Sequence, residues 1–162
     1  MNFFEDIRVG DIYVLGRHTF TASDIKAYAT RYDPQPFHVD EAAAQNSHFG
    51  GLIASGWHTA AAWMRLMVDY RRRIIEAARA RGEPVGTIGP ALGFRELKWL
   101  KPVYADDTID YASEVVETRV SESRPEMGLT RFRYDMIDEA DAVIVSMTVP
   151  TMFGRRQPGT AP

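Results

Sequence analysis

The chain has 162 residues, a net charge of −3, 45% apolar and 25% charged residues, and no cysteine. This length favours one domain that can bury a core of its own. The lack of cysteine excludes disulfides, thiolate metal sites and a cysteine nucleophile, and the charge balance gives no global basic field for nucleic acid.

The N-terminal sequence carries no export signal. MNFFEDIRVG has acidic residues where a secretory signal needs basic ones. No apolar run reaches the roughly 18 residues that span a bilayer. We therefore expect a cytoplasmic protein without a membrane partner, a location that the lack of cysteine also favours.

In the first third of the chain, the sequence predicts one strand followed by short helices. Residues 12–20 are predicted as a strand, and hydroxyl and carboxylate groups then precede a helix over residues 24–31. Pro34 ends that helix near Asp33, because a proline disfavours helical geometry at the residue before it. A stiff loop and a second short helix over residues 39–45 follow.

A long helix is predicted to begin at Gly56. Apolar residues recur there at spacings of three and four. The first half of this helix is apolar on nearly all sides, which predicts a central position in the fold. Its second half, residues 70–81, is amphipathic and rich in arginine, and Gly82 and Pro84 end it.

From Ile88 onward the apolar residues alternate with a period of two, which is typical of strands. Strands are predicted over residues 94–103, 108–120, 129–137 and 142–152. The order of elements predicts an α+β fold in which an antiparallel sheet wraps round one long helix. We expect a single domain over residues 1–154 and a small, polar C-terminal tail over residues 155–162.

Asp33 and His38 form the first candidate site. They stand five residues apart across two prolines, which restrict the backbone and can hold both side chains in a fixed relation. A carboxylate beside an imidazole can activate water, because each group can give or take a proton. In the alternative interpretation, Asp33 merely stops a helix and His38 is a half-buried structural residue.

Gly56 forms the second candidate site. The first amides of a helix have no acceptor within it, and the helix dipole favours negative charge at that end. A glycine lets a ligand approach closely, so the Gly56 amide could donate to a thioester carbonyl. The alternative is a glycine that serves only packing or capping.

Together the two segments resemble the MaoC-like dehydratases, hot-dog-fold relatives of (R)-specific enoyl-CoA hydratase. The family pattern runs Asp, any residue, Asn, Pro, aliphatic, His, any residue, acidic. The matching positions are Asp33, Pro36, His38 and Asp40. Two positions of this pattern differ: Gln35 stands where Asn is usual, and Phe37 stands where an aliphatic residue is usual. In a later family motif, Ala-His-Gly, Ser55 stands in place of the His. The resemblance extends over roughly residues 4–153.

The resemblance implies a hot-dog fold and a lyase of fatty acid metabolism that hydrates an enoyl-CoA or dehydrates the 3-hydroxyacyl product. Asp33 and His38 would activate the water, and the Gly56 amide would bind the carbonyl oxygen. The implied substrate-binding residues are Gln35, Phe37, Ser55 and Trp57. No metal and no cofactor beyond the coenzyme A of the acyl-CoA substrate is expected. The expected assembly is a homodimer or higher oligomer with sheets joined edge to edge, which would also protect exposed strands.

Two other functions stay open at this stage: a hot-dog acyl-CoA thioesterase and a non-catalytic domain that binds acyl thioesters.

The other polar residues have weaker functional interpretations. The histidines have no metal-ligand spacing, and His58 is expected to pack against the core or to cap a helix. Asp40 is expected to cap the helix after it. The run Arg71–Arg73 could meet the phosphates of coenzyme A or form a solvated face. Some family members shape the acyl pocket with a serine near the position of Met64, so the acyl group is left open.

Overall fold

A computed structural model of the protein describes residues 3–156. The strands are β1 (Ile12–Thr19), β2 (Ile88–Ala91), β3 (Arg95–Trp99), β4 (Thr108–Val120), β5 (Met127–Ile137) and β6 (Val143–Gly154). The helices are α1 (Ala22–Tyr32), α2 (Pro36–Val39), α3 (Glu41–Gln45) and α4 (Gly56–Ala80), preceded by a 3-10 turn at Phe4–Asp6. Most of the predicted tail, residues 157–162, lies outside the described residues.

The strands form one antiparallel sheet in the order β1-β4-β5-β6, and both β2 and β3 pair with the outer edge of β6. The predicted single strand over residues 94–103 is wrong in its bounds. The chain bends at Gly93, which has a φ of 97°, so β2 and β3 lie one after the other along β6. After Trp99 the chain leaves the sheet toward Pro102, which has no N–H to donate to a neighbouring strand.

One face of the sheet packs on α4 and forms the core. In β5, Phe132, Tyr134 and Met136 are buried and alternate with residues of the other face, as a strand with one covered side requires. The ring of Trp63 on α4 contacts that of Tyr134 at 4.9 Å between centroids. The sheet is curled around the long helix, so the predicted α+β hot-dog fold is confirmed.

The segment between β1 and α4 is more helical than predicted. Thr21 caps α1 by accepting a hydrogen bond from the Asp24 amide, and Asp40 caps α3 as expected. The predicted loop after Pro34 is shorter, because Pro36 starts the single turn α2. Proline fits the first position of a helix, where no N–H is needed. His38 consequently lies in a helical turn.

Helix α4 is covered by the sheet on one side only. Trp63 and Met67 are buried, whereas Trp57, Met64 and Val68 are exposed. The predicted central position of the helix is confirmed, although one side of its apolar first half is exposed in the single chain. Within residues 3–156, no helix combines the length and apolarity needed to cross a membrane.

Candidate active site

Asp33 and His38 face each other across the short linker between α1 and α2. The Nε2 atom of His38 lies 3.4 Å from the Oδ2 atom of Asp33. Asp33 is the C-terminal cap of α1 and His38 is the third residue of the single turn α2, with Pro34 and Pro36 between them. His38 is 4% exposed and is therefore held firmly in one position. The structure thus brings together the two residues that the sequence pairs.

A backbone carbonyl sets the proton position on His38. Its Nδ1 atom lies 2.7 Å from the carbonyl oxygen of Ile53. A carbonyl can only accept, so Nδ1 carries the hydrogen and Nε2 of the neutral ring is an acceptor that faces Asp33. Two acceptors cannot bond directly to each other, but both can accept from one water molecule. The arrangement is suited to holding a water and taking a proton from it.

Both carboxylate oxygens of Asp33 accept hydrogen bonds. The Ser55 hydroxyl donates to Oδ2 at 2.7 Å, and the Gln35 amide group donates to Oδ1 at 2.8 Å. The Ser55 bond is the main cause that lowers the pKa of Asp33; partial burial opposes it, and Gln35 and the nearby His38 lower the pKa further. Asp33 is therefore ionised at neutral pH and fixed in orientation.

Ser55 joins Asp33 to the start of α4. While its hydroxyl donates to Asp33, the same oxygen accepts from the Trp57 amide at 3.2 Å and so caps the helix. The side chain is buried, and both of these partners are protein groups. Ser55 is thus placed to orient the carboxylate and the helix start at once.

Gly56 lies directly beneath the indole ring of Trp99. A Cβ atom on Gly56 would lie 2.5 Å from the Nε1 atom of that ring, so only glycine fits here without moving the tryptophan. The rings of Trp99 and Trp57 are packed edge to face, with 5.3 Å between their centroids. As the first residue of α4, Gly56 has an amide for which the helix supplies no acceptor.

These groups line one cavity of about 420 Å³, within the size range of small-molecule sites. Its wall includes every residue that the sequence assigns to the site: Asp33, Gln35, Phe37, His38, Ser55, Gly56 and Trp57. Trp99 and Lys101 also line it; sequence reasoning did not assign Trp99 to the site, and it could name Lys101 only beside Lys98 and Arg95 as a possible contact of the coenzyme A phosphates. They come from β3 and the loop after it, and no local spacing connects them to the Asp33 segment.

The remaining candidates lie elsewhere. His58 is buried against Tyr28, with the rings stacked at 4.5 Å, which confirms its packing role. His48 is on the surface. The run Arg71–Arg73 does not form one surface. Arg72 pairs with Asp69 at 3.0 Å, whereas the side chain of Arg71 lines a cavity beside α4. In the described part of the chain, no three His, Asp or Glu residues are grouped so that they could hold a metal ion.

Comparison with known proteins identifies the family. The model of the MaoC like domain matches residues 12–133, so the chain belongs to this family and the predicted resemblance is confirmed. The structure of a MaoC-like dehydratase from Rhodospirillum rubrum is 36% identical, with a TM-score of 0.78 over 96% of this chain and 98% of that one.

Two further relatives are less similar in sequence. An (R)-hydratase from A. caviae involved in PHA biosynthesis is 20% identical, with a TM-score of 0.65 over 91% of this chain and 97% of that one, which shows the shared fold. The uncharacterized protein YdeM of Bacillus subtilis (strain 168) is 27% identical over 128 residues, or 77% of this chain and 79% of that protein.

Proposed function

We propose that the protein is a hydratase or dehydratase of acyl thioesters, which adds water across the 2,3-double bond of an enoyl-CoA or removes it from the 3-hydroxyacyl-CoA. The observation that carries the proposal is the ionised Asp33 carboxylate 3.4 Å from an acceptor nitrogen of His38, on the wall of the cavity of about 420 Å³. Membership of a family that includes a MaoC-like dehydratase supports it.

In the hydration direction, one water would donate its two hydrogens to His38 Nε2 and Asp33 Oδ2. His38 takes a proton as the water oxygen forms a bond to Cβ, and the electron pair of the double bond moves toward the thioester carbonyl. The Gly56 amide would donate to the oxygen on which negative charge develops. The imidazolium then returns the proton to Cα on the same face, and dehydration reverses these steps.

Asp33 has a separate task from His38 in this mechanism. Because Ser55 and Gln35 keep it ionised, it supplies a fixed negative charge beside the imidazolium that forms during the reaction. It also orients the water through the second hydrogen. The carboxylate thus lowers the energy of the charged state without itself having to accept the proton.

The proposal extends to substrate and assembly. Coenzyme A would enter as part of the substrate, with no other cofactor, and the exposed Lys101 at the cavity wall is a candidate for its phosphates. A homodimer or higher oligomer would cover the exposed apolar side of α4 formed by Trp57, Met64 and Val68.

The test compares hydration of crotonyl-CoA with thiol release from butyryl-CoA. The wild-type protein is expected to consume the enoyl thioester and to release no thiol from the saturated one. Asp33→Asn and His38→Ala should each lower the hydration rate by roughly 10²–10⁴-fold. Glu122→Gln, a change at an exposed carboxylate in the turn between β4 and β5, is the control and should keep the full rate.

Thiol release from butyryl-CoA would identify a thioesterase instead. If no enoyl-CoA in a broad series is hydrated, a binding function remains. If the wild type is active and both site variants keep its rate, hydration does not depend on this pair and the proposed mechanism is wrong.

A further inference from the structure

A second cavity lies further along α4. Its volume is about 210 Å³, and its wall is mostly apolar, with Trp63, Met64 and Met67 from the helix and Val149 from β6. The same elements bound both cavities: α4, β6 and the β2–β3 edge. From Gly56 to Trp63 the helix advances by about 10 Å, at roughly 1.5 Å per residue. The second cavity is therefore placed where the tail of an acyl group would extend beyond the reacting pair.

Of the described residues that form the wall of this second cavity, Arg71 is the one that carries a charge. It follows Trp63 and Met67 at intervals of four, so all three share one face of α4. Other arginines of the helix have carboxylate partners, since Arg65 and Arg72 both pair with Asp69. Among residues 3–156, no carboxylate forms an ion pair with Arg71.

The groups that do face Arg71 are neutral. Its guanidinium lies 5.8 Å from the centre of the Phe153 ring and interacts with the Tyr134 hydroxyl. Burial lowers the pKa of Arg71, and Tyr134 opposes this effect, yet a guanidinium stays protonated in proteins. A cation removed from water without a counter-charge is unfavourable unless an anion joins it. The second cavity therefore has an apolar wall with one uncompensated positive charge.

We propose that Arg71 binds a carboxylate at the far end of an apolar chain, so that the preferred substrates are enoyl thioesters that carry a second, terminal carboxylate. The guanidinium can hold a carboxylate through two parallel hydrogen bonds, and the methylene groups would contact the apolar wall. This substrate class rests on the proposed hydratase function. A free carboxylic acid, bound as a separate ligand, could also place its carboxylate on Arg71. The experiments below distinguish a carboxylate of the substrate from that of a free acid.

The experiment uses pairs of 2-enoyl-CoA esters of equal length, one ending in a methyl group and one in a carboxylate, over a series of lengths. At the best length the wild-type protein should prefer the carboxylate-ended ester by roughly tenfold or more in kcat/KM. Arg71→Met should lower that preference by roughly tenfold or more, because the carboxylate loses its charged partner at a partly buried position. Arg72→Met, on the adjacent surface residue, should leave the preference unchanged.

The Arg71→Lys variant separates binding from folding. Lysine keeps the charge without the planar fork, so part of the preference should return. Replacing a buried ion with an apolar residue of similar size is often neutral for stability, so Arg71→Met should fold, and melting temperatures check this. If it does not fold, Arg71→Lys and Arg71→Gln provide the same comparison. A substrate preference that does not change in the folded variants overturns the proposal.

A separate titration keeps this inference distinct from the hydratase proposal. If the wild-type protein hydrates no enoyl-CoA, the proposed function fails, and calorimetry with octanoate and its methyl ester tests the subsite alone. Binding of octanoate that disappears in Arg71→Met and persists in Arg72→Met supports a carboxylate site for a free acid. The absence of any binding that depends on Arg71 overturns the site in either form.

Discussion

His58 should make the fold sensitive to acid. The imidazole is 9% exposed and packs between Tyr28 and Phe20, with ring centroids at 4.5 and 5.0 Å. Burial is the main cause that lowers the pKa of His58 to about 4; the neighbouring His18 contributes to the lowering, and Asp24 opposes it. In the folded protein, His58 is therefore neutral between about pH 4 and pH 6.5, a range in which an exposed histidine is mostly charged.

The magnitude follows from the two pKa values. In the unfolded chain the pKa returns to about 6.5, so the unfolded state binds a proton first as the pH falls. The folded state is thereby destabilised from about pH 6.5 downward, and the loss ends near the folded pKa of about 4. At about 1.4 kcal/mol per pKa unit, the difference amounts to roughly 3 kcal/mol between pH 7 and pH 4.

The perturbation is His58→Phe, which keeps a ring against Tyr28 and removes the titrating group. Urea unfolding at several pH values measures the free energy of unfolding for the wild type and the variant. The wild type should lose roughly 3 kcal/mol more than the variant between pH 7 and pH 4. His48→Phe, at the surface, controls for the loss of any histidine. An equal pH dependence in the wild type and His58→Phe would refute the reasoning.

Three further variants probe the site and the core. Ser55→Ala removes the main cause that lowers the pKa of Asp33, so this pKa should rise, as measured by NMR titration of the side-chain carboxyl carbon; an unchanged pKa would contradict this. Gly56→Ala puts a methyl group against the 43% exposed Trp99, so the ring or the start of α4 must move and the amide at position 56 shifts from the substrate carbonyl; kcat/KM should fall by up to roughly 10²-fold, with the urea midpoint little changed. Ile109→Ala, in the core, should lower the free energy of unfolding by about 2–5 kcal/mol, measured in urea.

Local patterns predicted the elements whose packing is decided within a few residues. The strand β4 has the predicted bounds, Thr108–Val120, because its alternation of buried and partly exposed residues is regular. Helix α4 begins at the predicted Gly56, where Ser55 caps it. The proximity of the Asp33 and His38 side chains could also be predicted from the sequence, because two prolines restrict the backbone of the short linker between them.

The features that sequence reasoning missed depend on contacts between distant segments. The position of Trp99 over Gly56 requires the pairing of β3 with β6, which no local pattern encodes. The inward turn of Arg71 cannot be distinguished by sequence from the surface position of Arg72, because both occupy one basic run. The exposure of Trp57 depends on what covers α4 beyond this chain.

The contact between His38 and the Ile53 carbonyl has a consequence for how such a site can vary. The acceptor belongs to the main chain, so replacing the side chain at position 53 would not delete it. The path of that backbone is held by the Ile53 amide, which donates to the Phe37 carbonyl, and by a bridge to Tyr104. The backbone path thus determines which imidazole nitrogen carries the hydrogen. Side chains around the cavity could therefore be replaced while Nε2 of His38 still accepts a proton.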